Sequence, residues 1–225
     1  MPKPSPGRRP RLRVAITAGP TREYLDAVRF LSNASTGRMG IDLARAAIRQ
    51  RHEVTLVLGP TALEPPEGVR TVRVTSTREM LGATRRAVRD ADLVFFAAAP
   101  SDWTPRRRRR GKPPRKGGPF LLELLPTPDI AATMARGKKG RVHVGFALEV
   151  ADGEARARAK LERKRFDAIV LNSPANFAEG GGDVTWIERG AAPAALDAAS
   201  KRRLAGQILR RALALLEARE PRRAT

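Results

Sequence analysis

The run DLVFFAAA at residues 92–99 is apolar at every position after its aspartate. A strand of that kind is buried on both faces, which places it in the middle of a parallel sheet with helices above and below. Parallel neighbours need long crossovers, and the chain supplies them on both sides of this strand. RLRVAITAG (11–19), EVTLVLG (53–59) and VRTVRVT (69–75) read as strands before it, and 141–149 and 167–172 as strands after it. Helical spacing fills the gaps at 38–51, where Met39, Leu43, Ala47 and Ile48 share a stripe, and at 77–91, where Thr77 is the expected cap. Further helices are expected at 128–136, 153–166 and 194–218. The alternation predicts an α/β, Rossmann-like, doubly wound and mostly parallel sheet, whose ligands bind outside the carboxyl ends of the strands. FLLELL (120–125) and DVTWIERG (183–190) fall outside the series and are expected to form a small antiparallel β extension.

A length of 225 residues suits one sizeable domain, here expected over 11–218 between a disordered basic tail (1–10) and a basic C-terminal tail (219–225). No apolar run is long enough to span a membrane, and the basic N-terminus is not followed by a signal-peptide core. The absence of cysteine removes disulfides, thiolate metal sites and a cysteine nucleophile, and a cytoplasmic location is the simplest expectation. With 44 basic and 23 acidic residues the net charge is +21, which favours contact with phosphorylated ligands or polyanions. Much of the excess lies in the tails and in TPRRRRRGKPPRK (104–116), where eight of thirteen residues are basic. That loop, 104–118, is expected to be mobile: either an arm for nucleic acid or a lid over an anionic ligand. Nucleic acid is the less favoured partner, because no aromatic side chains are interleaved for base stacking.

Three stretches carry chemistry. ITAGPTRE (16–23) follows the first strand without the G-x-G-x-x-G spacing of dinucleotide folds, which argues against a nicotinamide or flavin site. In RFLSNASTGRMG (29–40), Ser35, Thr36 and Gly37 precede a helix; they read equally as a simple N-cap or as an anion cradle at the helix's positive end. Lys160 and Lys164 lie one helical turn apart, on an exposed charged helix or beside a polyphosphate. His52 and His143 form no triad or metal set, and His143 within RVHVGF reads as structural.

The order of these motifs, ITAGPTRE, VRFLSNASTGRMG, AAAPSDW, a lysine-containing loop ending in ELLPTPDI, VGFALE and K-x-x-x-K, resembles phosphopantothenoylcysteine synthetase over about residues 12–217. The resemblance implies a CTP-dependent ligase of coenzyme A biosynthesis in its stand-alone form. It would join 4′-phosphopantothenate to L-cysteine through an acyl cytidylate, releasing pyrophosphate and CMP. Mg²⁺ would arrive with the nucleotide, and no residues of this chain are expected to hold a metal or a flavin. A homodimer is implied, its surface expected on the antiparallel extension, with a separate decarboxylase as a further partner. By matching positions the resemblance assigns Asn33 and Arg29 to the acyl-nucleotide intermediate. It assigns Gly19, Ser35, Gly37 and Gly40 to the phosphopantothenate phosphate, with Phe146 and Asn172 completing that pocket. Nucleotide contacts fall on Ala98, Ala99 and Asp102, on the turn Pro128, Asp129, Ile130 and Ala131, and on Phe146, Lys160 and Lys164. Lys112 takes the place of the loop's catalytic lysine, although Lys112-Pro113-Pro114-Arg115-Lys116 departs from the family's K-x-K-K and leaves Lys116 as the alternative.

Overall fold

The structure, a computed structural model, describes residues 10–112, 117–149, 152–172, 184–197 and 200–219. Eight strands form the central sheet in the order β12 (Ala194–Leu196), β11 (Val184–Glu188), β10 (Ala168–Asn172), β9 (Val142–Leu148), β6 (Leu93–Phe96), β1 (Arg13–Ala18), β4 (Glu53–Leu58), β5 (Arg70–Arg73). Its parallel part comprises β1, β4, β5, β6, β9 and β10. The apolar run at 92–99 is therefore central: β6 is paired on both sides, and its four residues are buried. Alternate side chains divide between two cores. Val14, Ile16, Leu56, Leu93 and Phe95 face α1 (Arg38–Arg49) and α5 (Lys201–Glu217). Ala15, Val57, Val94 and Phe96 face α2 (Thr77–Ala87), α3 (Ile130–Ala135) and α4 (Gly153–Arg163). This two-sided packing follows from the period-2 pleat of each strand.

From β1 the chain builds outward through β4 and β5; from β6 it builds the other way through β9 and β10. The strand order thus reverses between β1 and β6, which opens a crevice at their carboxyl ends.

Several elements differ from the sequence expectation. The helix predicted over 194–218 begins only at Lys201, because Ala194–Leu196 is β12, paired antiparallel to β11 (Val184–Glu188). β11 in turn pairs antiparallel to β10, and Val184, Trp186 and Ile187 are buried inside the main sheet. The 120–125 segment does not join it. Only Leu124–Pro126 is a strand, β8, and it forms a separate hairpin with β7 (Trp103–Pro105). Another small hairpin, β2 (Arg22–Tyr24) with β3 (Phe30–Ser32), is too short for its periodicity to be read. Ser76, not Thr77, caps α2 by accepting the Glu79 N–H, while the Thr77 hydroxyl lies 2.8 Å from that of Thr21.

The loop expected to be mobile over 104–118 is held in its first part. Arg106 pairs with Glu123 at 2.6 Å, the Arg109 N–H donates to the Leu25 carbonyl, and the guanidiniums of Arg108 and Arg109 lie over Tyr24 and Phe120. Arg219, assigned by the sequence to a tail, is likewise held: it donates to the Arg141 carbonyl and pairs with buried Asp167. The remaining tail positions expected at 1–9 and 220–225, and Lys116, lie outside the described residues.

Candidate active site

A cavity of about 670 Å³ occupies the switch-point crevice between β1 and β6. Most of its wall comes from four places distant in sequence: the 33–39 turn into α1, the 96–102 segment at and after the end of β6, the 127–131 turn into α3, and β9 with the end of α4; Thr17, Asn172, Val184, Lys201 and Leu204 add to it. Strand ends deliver each of these turns to the same edge of the sheet, so the doubly wound topology assembles the site.

The turn into α1 leaves the helix end open. Gly37, the N-cap, has φ 75°, a left-handed conformation that disfavours side chains, and no side chain caps the helix. Ser35 Oγ and Thr36 Oγ1 reach only the N–H groups of Gly37 and Arg38, each at 3.4 Å. Neither residue is the helix cap that one reading of the sequence foresaw, and the positive end of α1 opens on the cavity.

Gly19 and Gly40 do not line that cavity. They act one layer behind it. A Cβ on Gly40 would sit 2.4 Å from the Ala18 Cβ, so its absence lets α1 lie directly on β1. Gly19, with φ 78°, passes Gly59 so closely that a Cβ would stand 3.2 Å from the Gly59 carbonyl oxygen.

Asn33 stands beside the α1 turn, and its amide nitrogen donates to the carbonyls of Pro100 at 2.9 Å and Ala99 at 3.3 Å. Two carbonyl acceptors leave no doubt which end of the amide is nitrogen. The amide oxygen is the end left for a ligand. Arg29 is not in the cavity lining. Its guanidinium is held 2.7 Å from Asp26 Oδ2 and lies over the Phe120 ring. Asp26 also accepts the N–H groups of Arg29 and Val28, and these bonds hold its carboxyl down to about 2.

On the opposite side of the sheet's edge, Asp129 caps α3 through the Ala132 N–H and receives Lys164 Nζ at 3.0 Å. Burial raises the Asp129 pKa, but these two partners outweigh it and the net shift is downward. Lys160 Nζ donates to the Phe146 carbonyl at 2.8 Å. Its pKa is lowered, first by burial and then by the charge of Lys164. Lys164 is thus neutralised locally, whereas Lys160 has only a carbonyl as partner among the described residues. The surface-helix reading of this pair does not apply, since both line the cavity. Ala98, Ala99 and Asp102, the 128–131 turn, Phe146 and Asn172 line it as well.

Lys112 is exposed and outside the cavity lining, next to residues 113–116, which are not described. The cavity also takes in residues to which the sequence assigned no role: Thr127, whose hydroxyl donates to the Ser101 carbonyl at 2.6 Å, and Arg38 and Lys201. Both cations are the first residues of helices, a position visible in sequence once the caps are known. His143 is buried and its pKa is pushed down to about 3, chiefly by burial; packed edge-on to Phe96, it is a neutral core residue.

A doubly wound sheet with an uncapped helix end, two lysines and a tethered amide around one crevice at its switch point defines a Rossmann-like α/β protein. Comparison with known families narrows this. Residues 10–216 match the model of the DNA/pantothenate metabolism flavoprotein C-terminal domain, and the chain belongs to that family, in agreement with the resemblance carried by its motifs.

Over 220 residues it is 42% identical to a protein named cysteine/cysteine sulfinic acid decarboxylase from an unknown prokaryotic organism, covering 95% of this chain and 60% of that one. Over 176 residues it is 41% identical to the coenzyme A biosynthesis bifunctional protein CoaBC of Bacillus subtilis (strain 168), covering 77% of this chain and 43% of the relative. The chain therefore spans 60% and 43% of the length of these curated relatives. Among solved structures, the C-terminal domain of a CoaBC protein superposes with a TM-score of 0.80 at 35% identity, covering 92% of this chain and 96% of that domain.

Proposed function

We propose that this chain is a phosphopantothenate–cysteine ligase, joining 4′-phosphopantothenate to L-cysteine with CTP as the activating nucleotide. One observation carries the proposal: a single crevice places the tethered amide of Asn33 beside the open α1 terminus, with the Lys160 and Lys164 ammoniums on another wall. Two phosphorylated substrates meeting at a carboxylate need that arrangement. Family membership and the CoaBC relatives support it.

A carboxylate resists attack by an amine, so its oxygen must first become part of a leaving group. In this reading a carboxylate oxygen of phosphopantothenate attacks the α-phosphorus of CTP. The bond to the β-phosphate breaks and pyrophosphate leaves. The cysteine amine then attacks the acyl carbon, losing a proton as CMP departs with the carboxylate oxygen. Positioning and charge neutralisation dominate such transfers, which fits a site without a catalytic histidine.

Asn33 orients the acyl group through its amide oxygen, while Ala99 and Pro100 fix its nitrogen. Lys160 and Lys164 meet the phosphate charge, and Lys112 joins them from its loop. Mg²⁺ enters as part of the nucleotide substrate, bound by the phosphate oxygens. Among the described residues no group of three or more His, Cys, Asp or Glu is placed to hold it.

The reading includes a homodimer. Its surface is better sought on the hairpins than on residues 183–190, where Val184, Trp186 and Ile187 are buried within the sheet. Trp103, Phe120, Leu121 and Val28 are exposed there, and Arg29 lies among them. Arg29 would then serve the partner's cavity. The deciding experiment supplies phosphopantothenate, cysteine, Mg²⁺ and each nucleoside triphosphate in turn, then measures pyrophosphate and amide. Amide formation with CTP is expected; no amide with any nucleotide would end the proposal.

A further inference from the structure

Asn33 follows a hairpin whose two strands have three residues each, while its carbonyl acceptors sit on a separate segment after β6. So short a hairpin has little rigidity of its own, and the spacing between the amide and its acceptors must be set from outside it. Thr21 touches both sides. Its main-chain carbonyl accepts the hydroxyl of Ser32, the residue before Asn33, at 2.8 Å. Its side-chain hydroxyl accepts the N–H of Ser101, the residue after Pro100, at 2.9 Å.

That hydroxyl is part of a closed ring. Ser101 N–H donates to Thr21 Oγ1, the Thr21 and Thr77 hydroxyls lie 2.8 Å apart, and Thr77 Oγ1 donates back to the Ser101 carbonyl at 3.3 Å. With the Thr21 hydroxyl donating to Thr77, every donor and acceptor in the ring is satisfied. Thr21, Thr77 and Ser101 are all buried, where water does not compete for these bonds. The ring is itself anchored. Thr77 N–H donates to buried Glu23 at 2.7 Å, and the Ser101 carbonyl also receives the Thr127 hydroxyl from the turn into α3. Thr21, Ser32 and Thr77 stand outside the cavity lining, so whatever they contribute to the site passes through the residues they hold.

We propose that Thr21 is a positioning residue for Asn33. Its carbonyl holds the hairpin side and its hydroxyl the β6 side, so that the amide and its two acceptors keep one spacing. The consequence for turnover rests on the ligase reading; the consequence for the Asn33 amide does not. Thr21→Val keeps the side-chain shape and removes the hydroxyl, leaving the Ser101 N–H without that acceptor. Ser32→Ala cuts the other tether at an exposed position, where the fold tolerates the change. Thr21→Ser retains the hydroxyl. Thr84→Val is the control, because the Thr84 hydroxyl is buried in α2 without a hydrogen-bond partner among the described residues.

Two measurements on the full chain test the proposal. The side-chain amide resonances of Asn33, assigned by their loss in Asn33→Ala, are expected to move in Thr21→Val and Ser32→Ala. They should keep their wild-type positions in Thr21→Ser and Thr84→Val. In the amide-forming assay, kcat is expected to fall about tenfold in Thr21→Val and to recover in Thr21→Ser. KM for CTP should stay within about twofold, since the Lys160–Lys164 wall is untouched. In the Asn33→Ala background Thr21→Val should add no further loss, because the two residues act as one unit. Asn33 resonances unmoved in both tether variants, or a full tenfold further loss on top of Asn33→Ala, would overturn the proposal. Resonances that move as expected in a protein forming no amide would end the ligase reading and leave the role of Thr21 standing.

Discussion

Asn33 spends its amide protons on two main-chain carbonyls, and that decides what its replacement does. In Asn33→Asp a carboxylate would face the Ala99 and Pro100 oxygens, which repel it. The side chain then swings away and the orienting oxygen is lost. Amide formation is expected to fall about a hundredfold, in the range seen when one positioned polar group is removed. Pyrophosphate release should fall less, because the lysine wall is intact; equal losses of both products would move the role of Asn33 from orientation to folding of the cavity.

Lys160 makes a second prediction. Its folded pKa is lowered, by burial first, so between that value and the ordinary lysine value near 10.5 the unfolded chain binds more protons than the native one. Stability from this group therefore rises with pH through that window. Wild type is expected to gain stability relative to Lys160→Met as pH approaches 10.5 from below, as read from denaturant midpoints. A constant difference across the window would mean that the ammonium is not desolvated.

The glycines before and within α1 show how one element sets a site it does not wholly contact. Gly37 takes the left-handed backbone that turns the chain into the helix, and Gly40 lets the helix settle onto Ala18 of β1. A methyl group 2.4 Å from the Ala18 Cβ cannot be absorbed without moving α1 outward. Gly40→Ala is expected to cost about 1–3 kcal/mol, the usual price of overpacking. It should also raise KM for the phosphorylated substrates, because the helix terminus moves with the helix. Gly82→Ala in α2 is the matched control: nothing lies closer than 3.9 Å to its added Cβ, and helix propensity alone should stabilise it by about 0.8 kcal/mol. Paired thermal melts check the opposite signs, and similar shifts in both variants would remove the packing argument.

The arginine run belongs with these elements. Its contacts to Tyr24, Leu25 and Phe120 tie the 106–110 segment to the β2–β3 hairpin instead of leaving it free.

For the molecule as a whole, the exposed hairpin face yields the remaining prediction. Leu121 is 89% exposed, so Leu121→Asp should leave a monomer's stability unchanged but weaken a dimer built on that face. Sedimentation should show the wild type as a dimer and the variant as a monomer; a monomeric wild type at micromolar concentration would dispose of the surface. Mixing Asn33→Asp with Arg29→Ala subunits should restore roughly a quarter of the activity if Arg29 serves the partner, since half the dimers then hold one intact site.

Much of this molecule was legible in the chain. Apolar runs and helical spacing announced the parallel sheet and its helices, because burial on two faces or one writes itself into side-chain periodicity. Of the residues assigned from the motifs between Asn33 and Lys164, all but Gly40 and Lys112 line the cavity. Pairings between distant segments carry no such local signal. Hence β12 was read as the start of a helix, and the 120–125 and 183–190 segments were joined although they lie in different sheets. The same limit applied to Arg29 and Gly40: adjacency in a motif is not adjacency in space, and the fold set one against Asp26 and Phe120 and the other on the side of α1 that meets β1. Arg38 and Lys201 are the converse case, 163 positions apart in the chain and brought to one wall only because α1 and α5 pack on the same face of the sheet.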